Sequence, residues 1–323
     1  MPTTRLTPEI ELDGLSPDEA FAALGNETRL EIIRVLWQAG ALQEYDDVDE
    51  TTETTIGFSD LRRRVDLRDN GRFNYHLSKL VPHFVRQTDD GYRLSGAGKK
   101  IARTVVAISG EPAPDLTATP DTDCPICGSA ITATYEDQWL RFTCTECDGL
   151  FGDAAPEGAI LHSSFPAAGL TDRTSEGALS TGLYRCMLDL TYLNRGVCRE
   201  CASSISTSMS ICDDHSVTGA KACDTCGMPF SVLVEYRCET CRFAKHLPVE
   251  ICVMGLTPVI GFLYHQDVDV LAPSLDEIVD VFQTQVETVV SEEPRRVTVT
   301  VQDGDDALTV TLDEEMTVLD VSH

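Results

Sequence analysis

The sequence predicts a multidomain protein of the α+β class, because three observations divide its 323 residues into regions of different character. Residues 14–108 combine amphipathic helical patterns with one hairpin pattern. All thirteen cysteines lie in a second region, between residues 124 and 252. A small C-terminal α/β element, residues 269–323, joins one helical pattern to two strand-like runs. The 42% of hydrophobic residues suffices for several cores.

The first region predicts the order helix, helix, helix, helix, hairpin, helix. Ser16 opens the first helix with a capping box to Glu19, and Asn26 caps the second helix, which ends near residue 40. The further elements predicted are an acidic loop over 43–57, helices over 58–66, 70–81 and 98–108, and a hairpin over 84–96. Helices followed by a two-stranded hairpin are typical of a winged helix-turn-helix domain, which we predict for residues 14–108.

The charge of this region opposes that of the whole chain. The formal net charge is -28, yet residues 58–103 hold 11 Lys and Arg against 5 Asp and Glu. Residues 110–323 hold 11 against 35, and only five of all the cations are Lys. A high acidic load with few lysines is what we expect in a cytoplasm of molar salt, where salt screens the repulsion between carboxylates. The basic segment therefore indicates an anionic partner, such as nucleic acid.

The helix predicted over residues 70–81 has two different faces. Phe73, Leu77 and Leu80 share one face, and the opposite face carries cations and hydrogen-bond donors but no acid. Such a helix suits the major groove of double-stranded DNA, where Arg, Lys and Asn contact phosphates and base edges. The residues predicted to contact DNA are Arg62, Arg63, Arg68, Arg72, Asn74, Tyr75, Ser78, Lys79, Arg86 and Arg93. His76 lies near the buried face, and we expect it to be a core histidine.

Residues 14–108 resemble the ArsR-like winged helix-turn-helix transcriptional regulators, in the variant found in salt-loving archaea. The stretches FAALGNETRLEIIRVL, FNYHLSKL and YRLSGAGKKI carry the resemblance. It implies a homodimer that pairs through the first and last helices and reads a two-fold symmetric DNA site. It also implies DNA contacts for Arg72, Asn74, Tyr75, Ser78 and Lys79. Metal-sensing members of that class hold cysteines within the winged helix, and this chain has none there, so metal sensing by that route is not expected.

A linker and a zinc ribbon are predicted next. Residues 109–123 are rich in Pro, Thr and Asp and read as a linker. In residues 124–147, the pairs CPIC and CTEC flank two strand-like runs. Two Cys-x-x-Cys loops at the ends of a hairpin supply the four-sulfur tetrahedron that Zn²⁺ prefers. The ligands predicted are Cys124, Cys127, Cys144 and Cys147.

Residues 148–268 predict an α+β region with two further zinc knuckle pairs, which brings the expected Zn²⁺ to as many as three per chain. The ligands predicted are Cys198, Cys201, Cys212, His215, Cys223, Cys226, Cys238 and Cys241. Sequential pairing would join 198/201 with 212/215 and 223/226 with 238/241. Interleaved pairing would join 198/201 with 223/226 and 212/215 with 238/241. Spacing favours the sequential pairing without deciding between them.

The remaining cysteines and the C-terminal part carry weaker signals. Cys186 and Cys252 lie in apolar contexts and are expected to be buried thiols. Residues 274–290 predict a helix, and the runs on either side of DGDD predict a hairpin. The cysteine-bearing half resembles a C-terminal region often joined to winged helices in salt-loving archaea, through GVCREC, CDDH, CDTCGMPF and VEYRCETC. That resemblance implies an architecture rather than an activity.

Neither catalysis nor a membrane location is expected. Each predicted zinc site closes with four protein ligands, which is typical of structural rather than catalytic zinc. The sequence has no GxSxG, HExxH or Rossmann glycine pattern, and GAGKK departs from the phosphate-loop pattern. The N-terminal MPTTRLTPEI has no apolar signal segment, and the apolar run over 247–264 is broken by Glu250 and two prolines. We therefore expect a cytoplasmic protein that is not an enzyme.

These inferences predict a sequence-specific DNA-binding transcriptional regulator. It would bind double-stranded DNA as a homodimer, while the zinc-stabilised C-terminal region binds an effector or a partner. The alternative is a protein-interaction factor of the transcription machinery that uses its zinc ribbons for protein contacts. The net +6 of residues 58–103 favours the first hypothesis.

Overall fold

The chain divides into two compact units, residues 1–109 and residues 110–323, and each is described by itself. The structure, a computed structural model, describes residues 14–40, 55–109, 119, 123–124, 126–216 and 222–323. The predicted acidic loop over 43–57 and the predicted linker over 109–123 lie mostly outside these described residues.

The first unit contains the elements in the predicted order. Its described helices and strands are α1 (Pro17–Leu24), α2 (Glu27–Gly40), α3 (Phe58–Arg64), α4 (Asn70–Ser78), β1 (Val85–Thr88), β2 (Gly91–Leu94) and α5 (Gly96–Ile108). The antiparallel register of β1 and β2 pairs Val85 with Leu94 and Thr88 with Gly91. The order confirms the predicted succession of helices and hairpin.

Polar caps fix where the helices of the first unit begin. The Ser16 hydroxyl accepts a hydrogen bond from the Glu19 N–H at 3.3 Å, and Glu19 Oε2 accepts one from the Ser16 N–H at 3.0 Å, which confirms the capping box. The Asn26 side chain accepts from the Arg29 N–H at 3.3 Å and starts α2. Asp69 accepts from the Arg72 N–H at 2.7 Å and starts α4, one turn before the basic residues of that helix.

The apolar faces of these helices form one core. Phe73, Leu77 and Leu80 are buried, as the helical periodicity predicts. They share a cluster with Ile33 and Leu36 of α2. Burial of each such side chain contributes about 1.5–3 kcal/mol, so this core can hold the first unit together without a metal.

The second unit is built from four described helices and ten described strands. The helices are α6 (Ser175–Leu193), α7 (Val249–Val253), α8 (Thr257–His265) and α9 (Leu275–Thr284). The strands are β3 (Ile131–Glu136), β4 (Trp139–Cys144), β5 (Ala159–Ser164), β6 (Ser206–Ile211), β7 (Val232–Arg237), β8 (Ala244–Pro248), β9 (Val286–Glu292), β10 (Arg295–Asp303), β11 (Asp306–Asp313) and β12 (Val318–Ser322). The fold is therefore mixed α and β with several small sheets.

Three antiparallel sheets pack around one core in this unit. Their strand orders are β3-β4-β5, β6-β7-β8 and β12-β11-β10-β9. Phe142, Tyr236 and Val299, one from each sheet, belong to a single cluster of buried residues. The Tyr236 hydroxyl donates to Asn194 Oδ1 at 2.6 Å, and the Asn194 amide donates to the Cys252 carbonyl at 2.7 Å. This chain of hydrogen bonds ties the end of α6 to β7 and α7.

The C-terminal part differs from the predicted helix plus hairpin. The helix over 274–290 is too long, because α9 ends at Thr284 and residues 286–292 form the strand β9. β-branched valines and a threonine dominate that stretch, and they favour a strand once β10 is available as a partner. The predicted hairpin is present as β10 and β11, but β9 and β12 extend it to four strands.

Among the residues that the structure describes, no helix has the length and apolar character needed to cross a membrane. The apolar run over 247–264 instead folds as the end of β8 followed by α7 and α8, and Thr257 and Pro258 open α8. Val253, Val259 and Leu263 from this run are completely buried in the core.

Candidate metal centres and nucleic-acid surface

The structure brings all twelve predicted metal ligands together in three clusters, and the ligand atoms of each cluster lie within 4.8 Å of one another. The clusters are site 1 (Cys124, Cys127, Cys144, Cys147), site 2 (Cys198, Cys201, Cys238, Cys241) and site 3 (Cys212, His215, Cys223, Cys226). Sites 1 and 2 offer four thiolates, whereas site 3 offers three thiolates and one imidazole. Each cluster is geometrically suited to one metal ion.

The distances within the clusters match a zinc tetrahedron. In site 1 the sulfurs of Cys124 and Cys147 are 3.6 Å apart. In site 2 the sulfurs of Cys198 and Cys241 are also 3.6 Å apart. A Zn–S bond of about 2.3 Å places tetrahedral sulfurs about 3.8 Å apart. In site 3, His215 Nδ1 lies 3.5 Å from the Cys226 sulfur, which identifies Nδ1 as the ligand atom of this imidazole.

Both predicted pairings of the last two sites are wrong, because the pairs are nested. The pair at 198/201 joins the pair at 238/241, and the pair at 212/215 joins the pair at 223/226. The reason is the antiparallel hairpin of β6 and β7, in which Ser206 lies opposite Arg237 and Ile211 lies opposite Val232. One end of the hairpin therefore carries the outer pairs of ligands, and the other end carries the inner pairs.

Four of the five Cys-x-x-Cys loops share one geometry, which directs both sulfurs of the pair towards the same point. In the loop at 223/226 the Gly227 N–H donates to the Cys223 carbonyl at 2.8 Å, and the Cys223 N–H donates to the Met228 carbonyl at 2.9 Å. The loops that begin at 124, 198 and 238 repeat both bonds. The residue after the second cysteine then needs a positive φ, which is 68° at Gly227 but also 61° at Ala202 and at Arg242. Glycine suits that position, so Gly128 and Gly227 are its visible sequence signal.

In each cluster, hydrogen bonds lower the pKa of one thiol and so favour the thiolate that binds metal. Hydrogen bonds from the N–H groups of Ser216 and neighbouring residues lower the pKa of Cys223 to about 6. Hydrogen bonds from Ser129 lower the pKa of Cys127 to about 7, and the Cys241 N–H does the same for Cys238. At neutral pH the Cys223 thiol is therefore mostly ionised and the other two are partly ionised, and the thiolate is the form that binds metal.

The thiols of Cys147 and Cys212 need a bound metal to become ionised at neutral pH. Burial raises the pKa of Cys147 far above its ordinary range, and it also raises the pKa of Cys212 to about 11. A bound cation must displace the protons of such thiols, so metal binding releases protons and weakens as the pH falls.

Two hydrogen bonds connect the loop that follows site 1 to the loop of site 3. Asp148 Oδ2 accepts from the Ala222 N–H at 2.9 Å. The Asp153 N–H donates to the Gly227 carbonyl at 2.8 Å. The side chain of Arg199, inside the Cys-x-x-Cys loop of site 2, forms an ion pair with Asp189 of α6 and donates to Ser164 of β5 at 3.3 Å. These partners could not be predicted from the sequence, because they lie far apart along the chain.

The two cysteines outside the clusters differ in burial. Cys252 is completely buried, as predicted, and burial raises the pKa of its thiol to about 12. Cys186 on α6 is only half-buried, so the prediction of a buried thiol holds for it in part.

The face of α4 predicted to contact DNA is exposed. Arg72, Asn74, Tyr75, Ser78 and Lys79 all point to solvent. Arg72 has no acidic partner among the residues that the structure describes, and Lys79 lies 5.7 Å from the centre of the Tyr75 ring. Arg68, just before the helix, is exposed as well. The face thus presents cations that no described carboxylate neutralises.

Arg62, which is also predicted to contact DNA, supports the turn that precedes α4. It is half-buried, and its guanidinium donates to the carbonyl of Leu67 at 3.1 Å and to that of Arg68 at 2.7 Å. Those carbonyls belong to the turn between α3 and α4, so Arg62 holds the turn in place. Arg63 is exposed but forms an ion pair with Asp60 one turn earlier, which reduces its charge available to a ligand.

The hairpin places two arginines side by side. Arg86 is exposed, and Arg93 lies directly opposite it in the register of β1 and β2. Directly opposed residues of two antiparallel strands point to the same face, so both arginines belong to one face of the hairpin.

His76 belongs to the core of the first unit. It is 7% exposed, and burial followed by the charges of Arg29 and Arg72 lowers its pKa. Its Nδ1 has no hydrogen-bond partner within the described part of the chain, so the imidazole is buried and neutral without being fully satisfied.

Two family profiles match the chain. The profile described as a domain of unknown function (DUF7351) matches residues 121–318, and the profile described as a domain of unknown function (DUF7347) matches residues 17–105. The boundary between the matches coincides with the division into two units. No curated protein and no solved structure matches the chain.

Proposed function

The chain belongs to the DUF7351 family, and we propose that it is a sequence-specific DNA-binding transcriptional regulator. In this proposal the first unit is a winged helix-turn-helix domain, and α4 enters the major groove of double-stranded DNA. The second unit is held together by up to three structural Zn²⁺ ions. The exposed cationic face of α4 is the observation that carries the proposal.

The chemistry of this face matches that of a DNA reader. Arg72 and Lys79 can reach phosphates or guanine edges, and Asn74 can form two hydrogen bonds to adenine. The opposite face of the helix is committed to the core through Phe73 and Leu77, so only the cationic face is free to bind. A surface of this kind within a chain of net charge -28 supports a polyanionic ligand rather than simple solubility.

The charge distribution also constrains how DNA would be bound. The second unit carries far more acids than bases, so it would be repelled by phosphates and would face away from them. Counterion release contributes little at molar salt, so contacts to base edges must supply much of the affinity. Two linked domains reading two half-sites would supply the rest.

Exposed apolar residues support a homodimer. Phe21 on α1 is 74% exposed, and Val106 and Ile108 on α5 are 50% and 52% exposed. In the described part of α5, only Gly98 and Ala102 are buried. A helix with such an apolar surface is typical of one that packs against a second chain.

Zinc is the metal that the donor sets favour. Four thiolates, or three thiolates with one imidazole, form a closed tetrahedral shell that leaves no position for substrate. The proposed role is therefore structural, and no enzymatic activity is proposed.

The double variant Arg72→Ala/Lys79→Ala tests the DNA proposal. A duplex would first be selected from a random-sequence library by the unaltered chain, and binding would then be measured at matched high salt. We expect the double variant to bind this duplex about 100-fold or more weakly, since each lost contact costs about 1–3 kcal/mol. Light scattering should give the mass of a dimer for both proteins.

A matched control removes the same charge from the other unit. Arg242→Ala/Arg296→Ala lowers the positive charge of the second unit and should leave DNA affinity unchanged. The proposal is contradicted if no duplex is selected, or if the α4 variant binds as well as the unaltered chain. A protein that selects no duplex but binds components of the transcription machinery would instead support the protein-interaction factor.

A further inference from the structure

A cavity of 580 Å³ lies in the second unit, away from the three metal clusters' ligand atoms. Its walls come from β5 and β8, which are the outer strands of two different sheets, together with α6 and α9. The volume falls within the range of about 300–1,000 Å³ that is typical of small-molecule sites. Protein interiors are otherwise packed with few voids larger than a water molecule, so packing alone does not account for this space.

The floor and walls of the cavity are apolar. The apolar residues that line it include Leu161, Leu183, Met187, Leu190, Leu247 and Ile251. Trp139 stacks on His162 at its edge, with ring centres 4.3 Å apart. Such a lining would hold a hydrocarbon or aromatic body.

One side of the cavity carries a positive charge that no described acid neutralises. Lys245 of β8 lines the cavity and forms no ion pair within the part of the chain that the structure describes. Arg199 also lines it, but the carboxylates of Asp189 and Glu200 neutralise its charge. Burial, followed by the charges of Arg141 and Lys245, lowers the pKa of His162, so both cations act on the imidazole at the edge of the cavity. This is unusual in a unit with 35 acids and 11 bases.

We propose that this cavity binds a small apolar organic acid, with its hydrocarbon body between β5, β8 and α6 and its carboxylate at Lys245. The occupant would touch β5 of the sheet beside site 1 and β8 of the sheet beside site 2. It would therefore link two metal-bearing sheets that the fold does not join by strand pairing. The proposal is independent of DNA binding, since neither the site nor its test involves DNA.

A tryptophan at the cavity allows binding to be followed by fluorescence. It has two tryptophans, Trp37 in the first unit and Trp139 at the cavity, so Trp37→Phe leaves only the cavity tryptophan. The probes are dodecanoate, dodecanol and dodecyltrimethylammonium, each kept below its micelle-forming concentration. We expect saturable changes in Trp139 fluorescence with dodecanoate, and about tenfold weaker binding or none with the other two probes.

Cys186 supplies a second readout that does not depend on fluorescence. It lines the cavity and is half-buried, whereas Cys252 is completely buried and the other eleven cysteines lie in the three clusters. In the zinc-loaded protein, a small thiol reagent should therefore modify Cys186 first. Dodecanoate should slow that modification in proportion to its occupancy of the cavity.

Variants separate the charge from the shape of the site. Lys245→Ala should weaken dodecanoate about tenfold without changing the binding of dodecanol, whereas Arg242→Ala, outside the cavity, should change neither. Cys186→Phe should fill part of the cavity and weaken all binding, provided that zinc content and thermal unfolding match the unaltered chain. The proposal is overturned if dodecanoate does not bind, if the three probes bind equally, or if Lys245→Ala leaves dodecanoate binding unchanged.

Discussion

The first unit has no cysteine and holds its helices with a core of aliphatic and aromatic side chains. The second unit has a larger core and still places twelve ligand residues in three clusters. Their charges also differ, because residues 58–103 have a net charge of +6 and residues 110–323 one of -24. Helices with a buried face are held by their core, whereas short strands need an additional constraint at their ends. Metal ions can supply that constraint without the burial of further apolar surface. We therefore propose that the first unit is stabilised by burial alone and the second by burial together with bound metal.

Removal of zinc should produce the largest difference in stability between the two units. A strong chelator is expected to abolish the unfolding transition of the second unit, because structural zinc contributes an apparent 10–16 kcal/mol or so per site in small zinc domains. The first unit should keep its transition. Trp37→Phe reports the second unit through Trp139, and Trp139→Phe reports the first through Trp37. A second unit that unfolds identically with and without chelator would show that its core alone suffices.

Zinc counting in paired variants tests the nested pairing of sites 2 and 3. Cys198→Ser/Cys238→Ser changes two ligands of one site, so it should lower zinc from three ions to two. Cys198→Ser/Cys223→Ser changes both sites and should leave one ion. Sequential pairing predicts the loss of two ions from the first variant, and interleaved pairing predicts the loss of only one from the second. Cys186→Ser is the control and should retain three.

The Glu250 side chain should make the second unit less stable as the pH rises from about 4.3 to about 9. This side chain is 4% exposed, and burial followed by the neighbouring Glu287 carboxylate raises its pKa to about 9. The folded chain keeps that proton up to about pH 9, whereas the unfolded chain loses it near pH 4.3 or so. The contribution of Glu250 to the free energy of unfolding should therefore fall as the pH rises between these values, by up to about 1.4 kcal/mol per pH unit.

Glu250→Gln should flatten this dependence and stabilise the protein most at the alkaline end. The measurement is denaturant unfolding followed through Trp139 at several pH values. Glu314→Gln, at an exposed carboxylate, controls for the change of net charge. Parallel pH profiles for the Glu250 variant and the unaltered chain would refute the assignment of the buried proton.

The smallest effect expected is that of Arg62→Ala in the first unit. Loss of its hydrogen bonds to the Leu67 and Arg68 carbonyls should cost about 1–2 kcal/mol of stability. The salt dependence of DNA binding should keep its slope, in contrast to a variant that loses a phosphate contact. Unfolding followed through Trp37 measures the first quantity. A smaller salt dependence of DNA binding together with unchanged stability would instead show that Arg62 contacts DNA.

Local signals were enough to predict the helices of the first unit. Ser16, Asn26 and the buried face of α4 act over one or two turns, so the sequence alone contains them. The edge strands β5, β8 and β12 were not predicted, although each pairs with the strand that precedes it in the chain. The pairing of the ligands could not be predicted because it follows from the register of β6 and β7, whose partners lie up to 31 residues apart. The cavity depends on the meeting of two sheets and had no signal in the sequence.

The nested pairing of ligands predicts the order in which sites 2 and 3 assemble. His215 and Cys226 of site 3 are 11 residues apart, whereas Cys198 and Cys241 of site 2 are 43 residues apart. A shorter loop closes at a smaller entropic cost, so we expect site 3, at the tip of the β6–β7 hairpin, to bind its ion before site 2. An ion bound at site 3 shortens the loop between the cysteine pairs at 198/201 and 238/241, which favours closure of site 2. When zinc is scarce, site 3 should therefore keep its ion while site 2 is empty.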